Sequence, residues 1–376
     1  LVKRAGQGVV FLITFGSSVL SFTTYGFSWK TVGAVALILI FLLSLLGNVL
    51  FFMASHLQSE KPRKIAFLTP SSGGQPFYTA MLTGLVRGAS LALGQDYLVV
   101  PSMPTESFEA VSIWSLFAAL EDRQVDIDGI IFIPDNPDRH FDELVGFHEK
   151  RGDIPLVLVD VYFDLANCDE RTRARLPSFV GGDELAGGRI AAELAIGAVG
   201  SGRPSAPVVL VVNGGIAAWE QQRATAFRAR IREEWPETQF VETPPFNYSR
   251  PAALSYCVGL FKSMADRQGH IEVHAIFACN DDMAIGVRGA IEQVQREGWI
   301  FTCLPQIVGY DGVLEICEYI QAGDPYMAGT VDVRVEDQAR AAIMLIHKLI
   351  RTGERTGEIE LIVPQPIVRP GIDLSR

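Results

Sequence analysis

The 376-residue chain lacks the short signatures that announce the common catalytic chemistries. There is no His-Glu-x-x-His, no Gly-x-Ser-x-Gly and no Cys-x-x-Cys, and the six His are scattered. Zinc hydrolysis, the serine-hydrolase elbow and dithiol redox chemistry are therefore without their residues, and an enzyme is not expected. A phosphate loop of the form Gly-x-x-x-x-Gly-Lys-Ser/Thr is missing, as is Gly-x-Gly-x-x-Gly, so neither a nucleoside triphosphate nor a dinucleotide cofactor has its cradle. Cysteine is sparse: the five, at 168, 257, 279, 303 and 317, show no metal-ligand spacing, and their odd number leaves at least one thiol unpaired. Positive charge is scarce too. The 32 Lys+Arg against 43 Asp+Glu give a net charge of −11, which excludes a long phosphate-tracking surface and with it nucleic acid as a partner.

Charge of either sign is absent from Thr31 to Ser59. The centre of that run, Val32 to Ala54, exceeds the roughly 20 apolar residues of a spanning helix and the about 7 to 15 of a signal-peptide core. The reading is a retained membrane anchor at 32–54, in competition with a cleaved leader whose cut after Ala54 would meet Phe52 where a small residue is wanted. Gly8 to Trp29 is also uncharged but diluted by Ser, Thr and Gly, a second and weaker span. Residues 1–60 balance at +2, leaving −13 for the rest, so the chain divides into an anchor region and a main body.

From Lys61 onward short β-rich runs alternate with amphipathic stretches. Ile65 to Thr69 precedes Phe77 to Leu93, Val208 to Val212 precedes Ala217 to Trp235, and Val273 to Cys279 precedes Met283 to Arg296. Runs such as GIIFIP and VVLVV are apolar throughout, as in parallel strands covered on both faces. About ten such units exceed one comfortable sheet, which predicts two doubly wound α/β lobes.

In such folds ligands sit outside the carboxyl ends of the strands. The residues there are Asp135 and Asn136 after IIFIP, Asp160 after PLVLV, Asn280 and Asp281 after HAIFAC, and Tyr310 and Asp311 after QIVG. Helix capping is the competing role, and it is favoured for Asp183 and Asp281. Arg223 shares the stripe Trp219, Arg223, Phe227, Ile231, so its guanidinium either finds an acceptor inside or snorkels past the helix end.

Six motifs in order, QPFY at 75–78, VGGDELAGGRIAAE at 180–193, EQQRATAFR at 220–228, FACNDDMAIGV at 277–287, IVGYDG at 307–312 and AGTV at 328–331, give a resemblance. From Lys64 to about Gln365 the chain resembles the type I periplasmic sugar-binding proteins of the ribose and galactose class, which are similar to LacI-type effector domains. The resemblance implies a hinged clamp around a polyhydroxylated ring. Phe77, Tyr78, Tyr248 and Tyr310 would supply aromatic faces, Asp160, Arg223, Asn280 and Asp311 the hydroxyl partners, and Ser71 and Gln75 the rim. Val161, Pro134 and Val333 stand where ribose-class members place polar residues, which argues against ribose itself; Asp135, Asn136 or Asp332 are the candidates to compensate.

The implied organisation is an anchor at 1–60, a first lobe of 61–181 plus 334–363, and a second lobe of 182–333 plus 364–376, with crossings near Gly181 to Asp183, Asp332 to Arg334 and Val363 to Ile367. The implied function is extracytoplasmic solute binding on the periplasmic side of a bacterial inner membrane, either anchored there or released after leader cleavage, with delivery of a sugar to an ABC importer. The rival is a membrane-anchored signalling receptor, working through a quorum-signal or sensor-kinase partner. Neither metal nor cofactor is implied.

Overall fold

The computed structural model describes residues 36, 38–48, 62–69, 76–93, 97–102, 126–134, 141–163, 169–200, 205–216, 218–354 and 357–374. The chain divides into two compact units, Leu1–Lys61 and Pro62–Arg376. In the first, residues 38–48 are helical and leave every large apolar side chain from Ile38 to Leu46 exposed. The described helical residues cover part of the span expected over 32–54, and among the described residues no helix is long and apolar enough to cross a membrane. The weaker span at 8–29 lies outside the described residues.

The second unit holds two six-stranded sheets. The first comprises β1 (Arg63–Leu68), β2 (Tyr97–Ser102), β3 (Gly129–Phe132), β4 (Leu156–Val159), β5 (Ser178–Gly182) and β13 (Ile359–Ile362), in the order β13-β5-β4-β3-β1-β2 and parallel throughout. The second comprises β6 (Val208–Val212), β7 (Gln239–Glu242), β9 (Ala275–Ala278), β11 (Gln306–Asp311), β12 (Met327–Asp332) and β14 (Gln365–Val368), in the order β14-β12-β11-β9-β6-β7. Here β14 runs antiparallel to β12, a departure from the all-parallel expectation. Only Val363 and Pro364 separate β13 from β14, so the chain end completes one sheet and then the other. A parallel pair, β8 (His270–Ile271) and β10 (Ile300–Phe301), stands apart.

The apolar strands serve two faces, as their lack of alternation requires. Ile65, Phe67, Ile131, Ile133, Val157 and Val159 pack towards helices α1 (Pro76–Leu93) and α9 (Val335–Thr352). Their neighbours Ala66, Leu68, Ile130, Phe132, Leu156 and Leu158 pack towards α2 (Phe141–Lys150). A one-turn helix, α3 (Glu170–Arg173), lies between β4 and β5, and Tyr162 near the start of that connection stacks on Phe179 at 4.5 Å. The second sheet is covered by α4 (Glu184–Val199), α5 (Ala218–Glu234), α6 (Arg250–Met264), α7 (Asp281–Arg296) and α8 (Leu314–Gln321) around one continuous core. Helix α7 shows why these segments are helices: Met283, Val287, Ala290, Ile291 and Val294 recur at three- and four-residue spacing and are buried. Each such side chain contributes about 1.5–3 kcal/mol when fully buried.

Each sheet places its first strand between its second and third, so the order reverses at β1/β3 and again at β6/β9. The clefts of doubly wound sheets open outside the strand ends at such reversals.

Candidate functional site

Asp160 follows β4 and Asp311 ends β11, and both have a backbone that L-residues seldom adopt, with φ of 69° and 118°. Such conformations cost about 1–3 kcal/mol each and persist where surrounding contacts enforce them. Asp160 is pinned by its N–H, which donates to Val180 O at 3.0 Å, and Asp311 accepts at its carbonyl from Val333 N at 3.5 Å.

Between them lies Arg223. On α5 the residues Arg223, Phe227 and Ile231 form one buried stripe, and the guanidinium turns inward with 5% of the residue exposed. Trp219, expected on the same stripe, lies outside the residues whose side chains are described. Nε of Arg223 donates to Glu184 Oε2 at 2.6 Å and Nη1 donates to the carbonyl of Cys279 at 2.7 Å. The guanidinium lies over the Tyr310 ring, 4.0 Å from its centroid, and Nη1 is 4.0 Å from Asp311 Oδ1. Glu184 is the partner that reading the chain did not identify. It begins α4 directly after Asp183, whose carboxylate caps that helix through Ala186 N at 2.9 Å. The packing depends on two glycines: a Cβ at Gly187 would meet the Tyr310 hydroxyl and one at Gly188 would meet the Arg223 carbonyl.

The electrostatics follow from burial around a single cation. Desolvation opposes the charge on Arg223, yet Glu184 above all, with Tyr310, Tyr248 and Asp311, holds its pKa well above the usual value. Burial and the neighbouring Glu184 push Asp160 up to about 7, against the pull of Arg223. Burial and Asp281 push Asp311 well above the carboxylate range. Asp281 does not cap α7 as expected. Asn280 does so, accepting from Met283 N at 2.9 Å, while Asp281 is fully buried and accepts from Thr330 Oγ1 at 2.6 Å and Val313 N at 2.8 Å. One position along the chain decides which residue faces the helix N-terminus and which is turned under the sheet.

The aromatic candidates separate. Phe77 is half-buried, packs against the cores of both sheets and lines a cleft. Tyr78 meets its edge at a centroid distance of 5.6 Å but belongs to the first sheet's core. Tyr310 is fully buried with one face covered by Arg223, so it supports the guanidinium instead of offering a face to the cleft. Half-buried Tyr248 lies on the loop after β7 at φ 60° beside Asn247 at 48°, near enough for its phenol to act on Arg223. Val161 and Val333 are buried apolar residues. Ser71, Gln75, Asp135 and Asn136 lie outside the described residues.

The cleft has a volume of about 940 Å³ and is walled on one side by Phe77, Thr79, Thr83 and Arg87 of α1. The opposite wall is Asp311, Val313, Asp332, Arg334 and Gln365, from the ends of β11 and β12, the turn into α9 and the start of β14. Of the predicted ligand residues, Phe77 and Asp311 line this cleft; Asp160, Arg223, Tyr248 and Asn280 are not part of its walls, and Asp160 and Arg223 act on Asp311 electrostatically. Carboxylates, a guanidinium and an aromatic ring are groups suited to hydrogen-bonding and covering hydroxylated molecules.

The sequence matches the family model described as periplasmic binding protein domain over residues 65–355. A curated relative, the D-allose-binding periplasmic protein of Escherichia coli (strain K12), is 26% identical over 212 residues, which cover 56% of this chain and 60% of that protein. An ABC transporter periplasmic solute-binding protein from Actinobacillus succinogenes 130z, solved with bound D-allose, superposes with a TM-score of 0.67 at 22% identity, covering 82% of this chain and 98% of that one. The Caulobacter myo-inositol binding protein, solved with myo-inositol, superposes at 0.66 and 21% identity, covering 83% and 96%.

Proposed function

The chain belongs to the periplasmic binding protein domain family, and from that premise we propose that it clamps a small sugar or sugar-like ligand between two lobes and presents it to a membrane partner, an ABC sugar importer. The observation that carries the reading is the meeting of Asp160 from the first sheet with Arg223 and Asp311 from the second, beside Phe77, which packs on both cores. Asp160, Arg223 and Asp311 bind ligand hydroxyls, Asn280 adds its amide, and Phe77 and Tyr248 cover C–H faces of the ring. Tyr78 and Tyr310 back the first row, and Ser71 and Gln75 form the rim.

In this reading the lobes are 61–181 plus 334–363 and 182–333 plus 364–376. The chain crosses between them after β5, at Val333–Arg334, and between β13 and β14. Gln338, fully buried, donates through Nε2 to Val333 O at 2.7 Å, and Arg334 sits at φ 57°, so the middle crossing is a defined turn about which the lobes rotate. Closure is driven by contacts that both lobes make only with ligand present. The exposed apolar helix at 38–48 supports a membrane segment over 32–54 that holds the clamp at the periplasmic face of the inner membrane. That helix also favours a second reading, a tethered receptor whose closed lobes contact a sensor protein.

A thermal-shift screen of the chain against pentoses, hexoses, inositols and acyclic polyols tests the proposal. At least one class raises Tm in proportion to log concentration, as mass action requires. A flat response to all of them refutes it. Capture of a permease or of a sensor protein by the ligand-bound form then separates importer from receptor.

A further inference from the structure

Around Arg223 the described carboxylates outnumber the cations. Asp160, Asp311 and Glu184 surround one guanidinium, and Glu184 is committed to Arg223 Nε. The carboxylates of Asp160 and Asp311, one from each sheet, accept no hydrogen bond among the described residues; their nearest cation is Arg223, with Nη1 4.0 Å from Asp311. Among the described residues the other cations of the cleft wall are already paired. Arg334 is tied to Asp337 at 2.6 Å, Arg87 to Glu336 at 3.0 Å, and Asp332 accepts from Arg334 N at 2.7 Å. Asp281, below, adds a further carboxylate held by Thr330 and Val313. Val161, which follows Asp160, is buried and apolar and brings no compensating charge.

A neutral polyol can donate hydrogen bonds to Asp160 and Asp311 but leaves the excess charge in a desolvated space, where unpaired ions are costly. A protonated amine supplies three donors and cancels one charge in the same contact. Resting on the sugar-binding reading above, we propose that the preferred ligand is a hydroxylated molecule carrying a protonated amine, an amino sugar or aminocyclitol, with its ammonium between Asp160 and Asp311. The rise of Asp160 to about 7 is in line with the same deficit: without a cation, desolvation and the neighbouring Glu184 favour a proton there.

Matched pairs decide it. Titration calorimetry of the full chain at pH 7.5 compares glucosamine with glucose, galactosamine with galactose, and an aminodeoxyinositol with myo-inositol. The expected result is that in at least one pair the amine binds tenfold or more tightly than its neutral partner, and that Asp160→Asn removes most of this preference. Equal or tighter binding of the neutral member in every pair that binds overturns the inference and leaves the sugar-binding reading intact. An amine preference that Asp160→Asn leaves unchanged overturns the assignment of the ammonium to this site. Absence of binding by both members of all pairs, and by the wider neutral panel, overturns the inference together with the reading it rests on.

Discussion

Replacing Asp160 by Asn removes a charge at nearly constant shape, so the stability and binding of the variant report on the site separately. In the folded protein burial and Glu184 raise this carboxyl from 3.8 to about 7. Between those values the folded state binds more protons than the unfolded chain, so the group's contribution to stability is lost as pH rises from about 4 to about 7. Each pH unit in that window is worth about 1.4 kcal/mol, which caps the penalty above pH 7 at about 4 kcal/mol. Screening by solvent at this incompletely buried position reduces the realised figure to about 1–2 kcal/mol. Urea unfolding at pH 8 is therefore expected to find Asp160→Asn more stable than the parent by about that amount, and at pH 4.5 to find little difference. Binding moves the other way: an amide cannot replace a charged acceptor in a closed site, and affinity falls by about 2–4 kcal/mol. A variant no more stable than the parent at pH 8, or equally stabilised at both pH values, refutes the account of a proton-deficient cleft.

Glu184→Ala strands Arg223 without its main acceptor, and a loss of about 3–5 kcal/mol in chemical denaturation is expected, with Glu184→Gln retaining more stability because the amide still accepts from Nε. Gly188→Val drives a side chain into the Arg223 carbonyl between α4 and α5; overpacking of this kind costs about 1–3 kcal/mol, a fall of several degrees in Tm. Small-angle scattering of the open ligand-free form should show a smaller radius of gyration at saturating ligand, and an unchanged profile speaks against a clamp. If 32–54 is a retained anchor, the chain fractionates with membranes and is released by detergent but not by high salt or carbonate; full release by carbonate rejects the anchor.

The α/β character was legible because its signal is local. A run such as Val208–Val212, apolar at every position, can be satisfied only where both faces are covered, and the stretch after it carries helical spacing. The edge strands were harder to read. Gln239–Glu242 is exposed or half-exposed along its length, and Gln365–Val368 opens with an exposed Gln-Pro pair, so neither shows a continuous buried run. The same division holds at the site. Asp160, Asn280 and Asp311 could be placed because each follows a readable strand. What each side chain does there depends on neighbours far along the chain. Arg223 pairs with Glu184, 39 positions away, and Asp281 with Thr330, 49 away. No periodicity encodes such pairings. Burial of a guanidinium announced that an acceptor must exist, and only the packing of α4 on α5 identified it.

The route of the chain also sets an order of assembly. The first sheet is begun by Arg63–Leu68 but is closed by Ile359–Ile362, and it is covered on one face by α9, whose His347 meets Tyr97 at 2.7 Å across 250 positions. The second sheet needs only Gln365–Val368 from beyond Asp332. During synthesis, then, the earlier-made half stays an open surface until the ribosome has passed residue 350, while most of the later-made half can collapse on itself. Contacts of such long separation form slowly, since loop closure precedes any reward. Docking of Val335–Thr352 onto the earlier strands is therefore expected to be a late step of folding.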